Sequence, residues 1–287
     1  MRSLDLEIQA RLQALQHYKI KHAHLAEMDD LLLNAIAEHT SYSILALYGP
    51  SGVGKSTVMK RIAAHCREEE MNPLIVPMVI VEASPEDVGS SARLDFYRQV
   101  LHQLRGHVAV RDRMLNLPLA RERGKKSTDP VEWLEMRDAV SYALDLLGVK
   151  AICIDEAQHL MHADAAQKPW IQLDWLKSLT NRTNLLYILI GNYSLYDFCH
   201  LNGQIARRMR DEHFSRYHLD RQGEAEEFTS ALKKLLEQVP LQVNIPEMVT
   251  RLPMVWRMEH RLCRYSQRLG SGNGCNALPS WGNSSYS

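Results

Sequence analysis

Apolar and polar residues fall in blocks along this chain. Residues 5–38 carry Leu6, Ile8, Leu12 and Leu15, then Leu31, Leu32 and Ile36, at helical spacing, which predicts two amphipathic helices broken near His17 to His24. Short, nearly all-apolar runs follow at Ser43 to Tyr48, Leu74 to Val81, Ala151 to Ile154 and Leu185 to Ile190, with a weaker one at Ser215 to Leu219. A strand covered on both faces needs apolar side chains at every position, and helical segments separate these runs. The pattern therefore predicts an α/β fold with a parallel five-stranded sheet flanked by helices. From Glu224 the pattern is helical only, over Ala225 to Gln238, Pro246 to Leu252 and Val255 to Leu269, as expected of a small C-terminal helical lid. Gly270 to Ser287 is rich in Gly, Ser and Asn and lacks periodicity, the composition of a disordered tail. The expected organisation is a helical segment over 1–40, an α/β core over 41–222, a lid over 223–269 and a tail over 270–287.

Composition narrows the function classes. With 34 basic and 34 acidic residues the formal net charge is zero, which excludes a histone-like protein but leaves room for a local basic strip. The five cysteines, Cys66, Cys153, Cys199, Cys263 and Cys275, form no CxxC pair, so neither a disulfide framework nor a zinc ribbon is expected. The N-terminal residues lack a continuous apolar core, and the longest apolar run, Leu74 to Val81, is far below the ~20 residues that span a bilayer. The expected compartment is the cytoplasm, with no membrane partner.

The sharpest chemical signal is Gly49-Pro50-Ser51-Gly52-Val53-Gly54-Lys55-Ser56-Thr57, which fits G-x-x-x-x-G-K-[ST] between an apolar strand and a helix-prone stretch, Val58 to Cys66. The glycines let the backbone curl so that successive N–H groups face phosphate oxygens, and the following helix adds its N-terminal dipole. Lys55 is expected to reach the β- and γ-phosphates and the Ser56 hydroxyl to join a Mg²⁺ shell, with Thr57 near the α-phosphate. ATP and Mg²⁺ are the expected ligands.

One hundred residues after Lys55, the apolar run Ala151 to Ile154 ends in Asp155-Glu156. A carboxylate at the C-terminal end of a parallel strand sits where open α/β sheets bind ligands, so Asp155 is placed to hold the hydrated metal and Glu156 to deprotonate the attacking water. The run Leu185 to Ile190 ends in Gly191-Asn192. An amide there is placed to hydrogen-bond both the water and the γ-phosphate, although Asn at a strand end is also a common turn former. Downstream, Arg207 and Arg208 read either as a solvated charged face or as an arginine finger that reaches the γ-phosphate of a neighbouring subunit.

This ordered set, from phosphate loop to helical lid, resembles the AAA+ P-loop ATPases. Within them, Ala151-Ile152-Cys153-Ile154-Asp155-Glu156-Ala157-Gln158-His159-Leu160, with Ile188 to Asn192 and Gln204 to Met209, looks most like the TniB/TnsC transposition regulators. The resemblance runs from about Tyr18 to Leu252. It implies an ATP-hydrolysing homo-oligomer, a ring or helical filament, that forms on double-stranded target DNA and recruits a transposase together with target-selection proteins. Secretion-type ATPases share the Asp-Glu-Ala-Gln string, so the alternative is an ATPase that energises a protein partner without touching DNA. The lid departs from the family: a Gly-Arg-containing helix is expected and none is found after Leu252, although Arg257 and Arg261 lie nearby.

Between Arg105 and Lys126 the chain gathers seven Arg and Lys residues against few acids, without interleaved aromatics. That composition suits sequence-independent contact with duplex phosphates and equally suits an exposed charged helix and loop. By resemblance, DNA contacts come from loops after the second strand and before the Asp-Glu strand, which makes Arg93, Lys125 and Lys126 the candidates.

Overall fold

The structure is a computed structural model and describes residues 23–38, 41–83, 92–104, 130–161, 169–201, 203–218, 221–238 and 247. The described residues belong to two compact units, Glu27–Arg216 and the remainder.

The larger unit is built on five strands, β1 Ile44–Tyr48, β2 Met78–Glu82, β3 Ala151–Asp155, β4 Leu186–Gly191 and β5 Met209–His213. They form one sheet in the order β2-β3-β4-β1-β5, and every pairing is parallel. The three inner strands are buried almost throughout, which is why their sequences are continuously apolar. The helices are α1 Ala23–Ala37, α2 Lys55–Glu69, α3 Ala92–Leu104, α4 Pro130–Leu146, α5 Pro169–Arg182, α6 Tyr193–His200 and the single turn α7 Gly203–Ala206. A 3₁₀ turn, Ala157–Met161, follows β3 directly. Helices α2 and α3 pack on β2, α4 packs on α3, and α6 packs on β1.

Below the sheet, Tyr97 and Trp175 are buried and joined by a hydrogen bond from the indole Nε1 to the phenol oxygen at 3.2 Å. Phe96 meets both rings edge-on. Their large apolar areas and the satisfied polar tips fix α3 against α5. Burial pushes the thiols of Cys153 and Cys199 up, that of Cys199 to about 12, so both behave as small apolar side chains.

The two sheet edges are finished differently. On β2, the outward-facing peptide groups of Ile80 and Glu82 are met by glutamines one helical turn apart on α3. The Ile80 N–H donates to Gln103 Oε1 at 3.2 Å, and Gln103 Nε2 donates back to the Ile80 carbonyl. The Glu82 N–H donates to Gln99 Oε1 at 3.0 Å, and Gln99 Nε2 donates to the Glu82 carbonyl at 2.7 Å. Residues two apart on a strand and four apart on a helix both advance about 6–7 Å, so the side-chain amides stand in for a neighbouring strand.

The other edge corrects the sequence reading. The fifth strand is Met209–His213, not Ser215 to Leu219. Its sequence, Met-Arg-Asp-Glu-His, is polar because β5 has one neighbour, β1, and largely faces solvent, where charged side chains also discourage further pairing. The second strand begins at Met78, four residues into the apolar run that starts at Leu74, because Leu74 and Ile75 lie in a turn held by the Asn72 side chain and carbonyl. The first of the two helices expected within 5–38, ahead of the break near His17 to His24, the expected helices at 246–252 and 255–269 and the expected tail lie outside the described residues, apart from Glu247.

In the smaller unit, α8 Gln222–Gln238 is amphipathic and covers the first of the three expected lid helices. Glu224 in its first turn accepts the His218 N–H at 2.7 Å and the Arg221 Nη1 at 2.9 Å, closing the helix start.

Candidate nucleotide site

The chain leaves β1 toward the β2 edge and leaves β4 toward the β5 edge. The C-terminal ends of β1 and β4 therefore flank the switch point at which open α/β sheets bind ligands. Both loops that follow these ends carry residues singled out by sequence.

After β1 the backbone turns sharply. Gly49 donates its N–H to the Gly191 carbonyl at 3.2 Å, and a Cβ on Gly49 would fall inside the van der Waals envelope of the Phe214 carbonyl oxygen. Gly52 and Gly54 hold φ of 83° and 100°, the left-handed region that favours glycine. Gly54 is also the N-cap of α2, with no side chain capping the helix. The first helical bond is Val58 N–H to the Gly54 carbonyl at 2.9 Å, so the amides ahead of it have no acceptor within the helix. Unpaired amides in a glycine turn at a helix N-terminus fit an anion.

Lys55 Nζ donates to the carbonyls of Gly49 at 2.9 Å and Pro50 at 2.7 Å, arching over the loop it belongs to. Burial lowers its pKa below the usual lysine range, Glu156 and Asp155 oppose that shift, and Arg216 adds to it. Lys55 thus stands in the combined field of the loop and the β3 carboxylates. Arg216 was not anticipated from sequence, where its neighbourhood reads as a strand. It lies two residues beyond Phe214, whose N–H donates to the Tyr48 carbonyl at 2.8 Å.

At the end of β3, Asp155 Oδ1 accepts the Glu156 N–H at 3.0 Å. Glu156 has φ of 51°, unusual for a residue with a side chain, and is exposed. Its carboxylate Oε2 accepts an N–H from the buried Gln158, whose Oε1 accepts the Asn192 N–H at 3.3 Å. Asn192 is the N-cap of α6 and its Oδ1 accepts the Ser194 N–H at 2.9 Å. The cap is the turn-forming reading of Asn192.

The structure gathers Gly49 through Thr57, Asp155, Glu156 and Asn192 at one end of the sheet and leaves the arginines elsewhere. Arg208 hydrogen-bonds Asn181, and its carbonyl accepts the N–H groups of Ser43 and Ile44 at the opposite end of β1. A five-residue strand is about 16 Å long, so neither Arg207 nor Arg208 reaches the phosphate loop of its own chain. Arg93 donates from Nε to Gln172 at 2.9 Å and lies 5.9 Å from the Trp175 ring centroid, half-buried rather than presented outward. Lys125 and Lys126 lie outside the described residues.

Among the described residues no group of three or more His, Cys, Asp or Glu side chains forms a metal site. Ser56 and Asp155 match instead the sparse protein shell of Mg²⁺, which keeps waters and phosphate oxygens as its other ligands. Among the described residues no helix is long and apolar enough to cross a membrane.

No curated protein sequence matches the chain at a significant level. Among solved structures, the Walker-type ATPase of Pyrococcus abyssi is similar in fold, with a TM-score of 0.50 at 16% identity, covering 79% of this chain and 61% of that one. This chain thus spans about three fifths of that ATPase. The Aeropyrum pernix ORC2 protein in its ADP form gives 0.49 at 14% identity, with 77% and 52% covered. The Aeropyrum pernix ORC1 protein in complex with DNA gives 0.47 at 17%, with 75% and 48% covered. Residues 38–198, more than half of the chain, match the family model described as AAA domain, and with the parallel sheet and phosphate loop in place the chain belongs to that family of P-loop nucleotide-binding proteins.

Proposed function

We propose that the chain is a Mg²⁺-dependent ATPase that assembles on double-stranded DNA and regulates transposition. The observation that carries the ATPase reading is the position of the Lys55 ammonium, 2.9 and 2.7 Å from the Gly49 and Pro50 carbonyls and in the field of Asp155 and Glu156. The loop amides and Lys55 bind and orient the triphosphate, and Ser56 and Asp155 hold the metal. When bound, Mg²⁺ neutralises charge on the β- and γ-phosphate oxygens. Glu156 takes the proton of the attacking water, Asn192 orients that water through its amide, and the β–γ bridging P–O bond breaks to release ADP and phosphate. Arg208 or Arg207 completes the site of an adjacent subunit, a reading supported by their distance from the loop of their own chain.

Oligomerisation on duplex DNA, with a transposase and target-selection proteins as partners, rests on the sequence resemblance to TniB/TnsC regulators. The basic stretch before Lys126 supplies the charge that such contact needs. ATP favours assembly in this scheme and hydrolysis drives disassembly.

The test is Mg²⁺-ATP hydrolysis measured with and without random-sequence duplex at low salt. Lys55→Ala is expected to lower kcat/KM by about 10²-fold or more, and Glu156→Gln to keep nucleotide binding while trapping DNA-bound oligomers. Absence of nucleotide binding sinks the ATPase reading. Hydrolysis without any duplex binding leaves the ATPase and moves the partner to a protein, as in the secretion-type alternative.

A further inference from the structure

The site contains one buried polar side chain that the reaction scheme leaves unused. Gln158 is 7% exposed, at the second position of the 3₁₀ turn after β3. Burying an amide costs free energy unless both of its ends are satisfied, and both are. A carboxylate only accepts and a backbone N–H only donates, so the two partners fix which end of the amide faces each. Its Nε2 donates to Glu156 Oε2, and its Oε1 accepts the Asn192 N–H at 3.3 Å. Space for that oxygen exists because the neighbouring residue is Gly191, where a Cβ would lie 2.5 Å from it.

Glu156 needs such a tether. It is exposed, it sits in a left-handed backbone conformation, and its own main chain anchors only the peptide, through Glu156 N–H to Asp155 Oδ1 at 3.0 Å and the Glu156 carbonyl to His159 N–H at 2.9 Å. A carboxylate on two rotatable carbons samples several rotamers in water. With one oxygen held by the Gln158 amide, the other keeps its lone pairs for a water proton.

We propose that Gln158 is a positioning residue for hydrolysis: its side-chain amide bridges the carboxylate of Glu156 to the backbone of Asn192, so that the general base and the residue that orients the water keep a fixed separation. This rests on the assignment of Glu156 as the base. Displacement of a catalytic group by about 1 Å costs about 10²-fold in rate, which sets the scale of the effect.

Steady-state hydrolysis of Mg²⁺-ATP is compared, in the presence of duplex DNA, for the full chain, Gln158→Met, Glu156→Gln and the double variant, alongside equilibrium binding of a fluorescent ATP analogue. Gln158→Met keeps length and burial but has no donor. It is expected to lower kcat by about 10- to 100-fold, leave KM and analogue affinity within about threefold, and have no further effect in the Glu156→Gln background. Gln158→Glu, which keeps the shape and replaces the donor by a second acceptor, is expected to lower kcat at least as far and settles the matter if Gln158→Met fails to fold. A kcat within twofold of the parent, equal losses in both backgrounds, or a fall in affinity matching the fall in rate overturns the proposal. Absence of turnover in the parent chain, or full turnover in Glu156→Gln, overturns the assignment of the base and this inference with it. Turnover that Glu156→Gln abolishes and Gln158→Met leaves intact overturns the inference alone.

Discussion

Strands β2 and β5 occupy the two edges of one sheet and solve the same problem by opposite means. Strand β2 is apolar, Met-Val-Ile-Val-Glu, with its free peptide groups covered by Gln99 and Gln103 from α3. Strand β5 is charged, with Arg210 paired to Glu212 at 2.6 Å, and it meets the rest of the sheet through the backbone of β1 and the close approach of Phe214 to Gly49. A covered edge can afford apolar side chains, whereas an open one needs charge to stay unpaired. The difference also separates two sources of stability, side-chain burial at one edge and main-chain proximity at the other.

The largest effect is expected where the β5 edge meets the phosphate loop. Gly49→Ala places a methyl against a backbone oxygen that no side-chain rotation can move, so the end of β5 must part from β1. Urea unfolding is expected to show a loss of about 3 kcal/mol, and a loss below about 1 kcal/mol would mean that β5 is held by its side chains after all. At the other edge, the double change Gln99→Leu with Gln103→Leu removes four hydrogen bonds to an edge that water then partly satisfies. The expected cost is about 2 kcal/mol, with concentration-dependent association visible by light scattering. A monomeric, equally stable variant would show that the glutamines are incidental. The smallest change is expected from Arg210→Thr with Glu212→Thr on β5. An exposed ion pair contributes little, so stability should stay within about 0.5 kcal/mol while self-association rises. Loss of stability without association would reverse the contrast.

The same contrast explains what was legible in the sequence. The inner strands β1, β3 and β4 stand out because burial on both faces leaves no alternative to apolar residues, and the phosphate loop stands out because its glycines answer a backbone requirement. Strand β5 is hidden because nothing about Met-Arg-Asp-Glu-His distinguishes a solvent-facing strand from a loop, and the apolar Phe214 beyond it draws attention to the wrong segment. Asp155, Glu156 and Asn192 are legible as strand-end polar residues. Gln158 is not, since its partners are the residues that directly follow β3 and β4, and only folding brings residue 158 to residue 192. Arg216 is missed for a similar reason: its relation to Lys55 is made by strand pairing, not by spacing along the chain.

The fit between Gln158 and Gly191 carries a historical consequence. Position 191 is not at liberty to drift alone: a side chain there evicts the glutamine and also presses on Leu195, whose Cβ and Cδ2 would lie 3.1 Å from the added carbon. A substitution at 191 should thus be inherited together with one at 158 across descendants of this chain, and a lineage that breaks the pair should also have found another way to steer its glutamate.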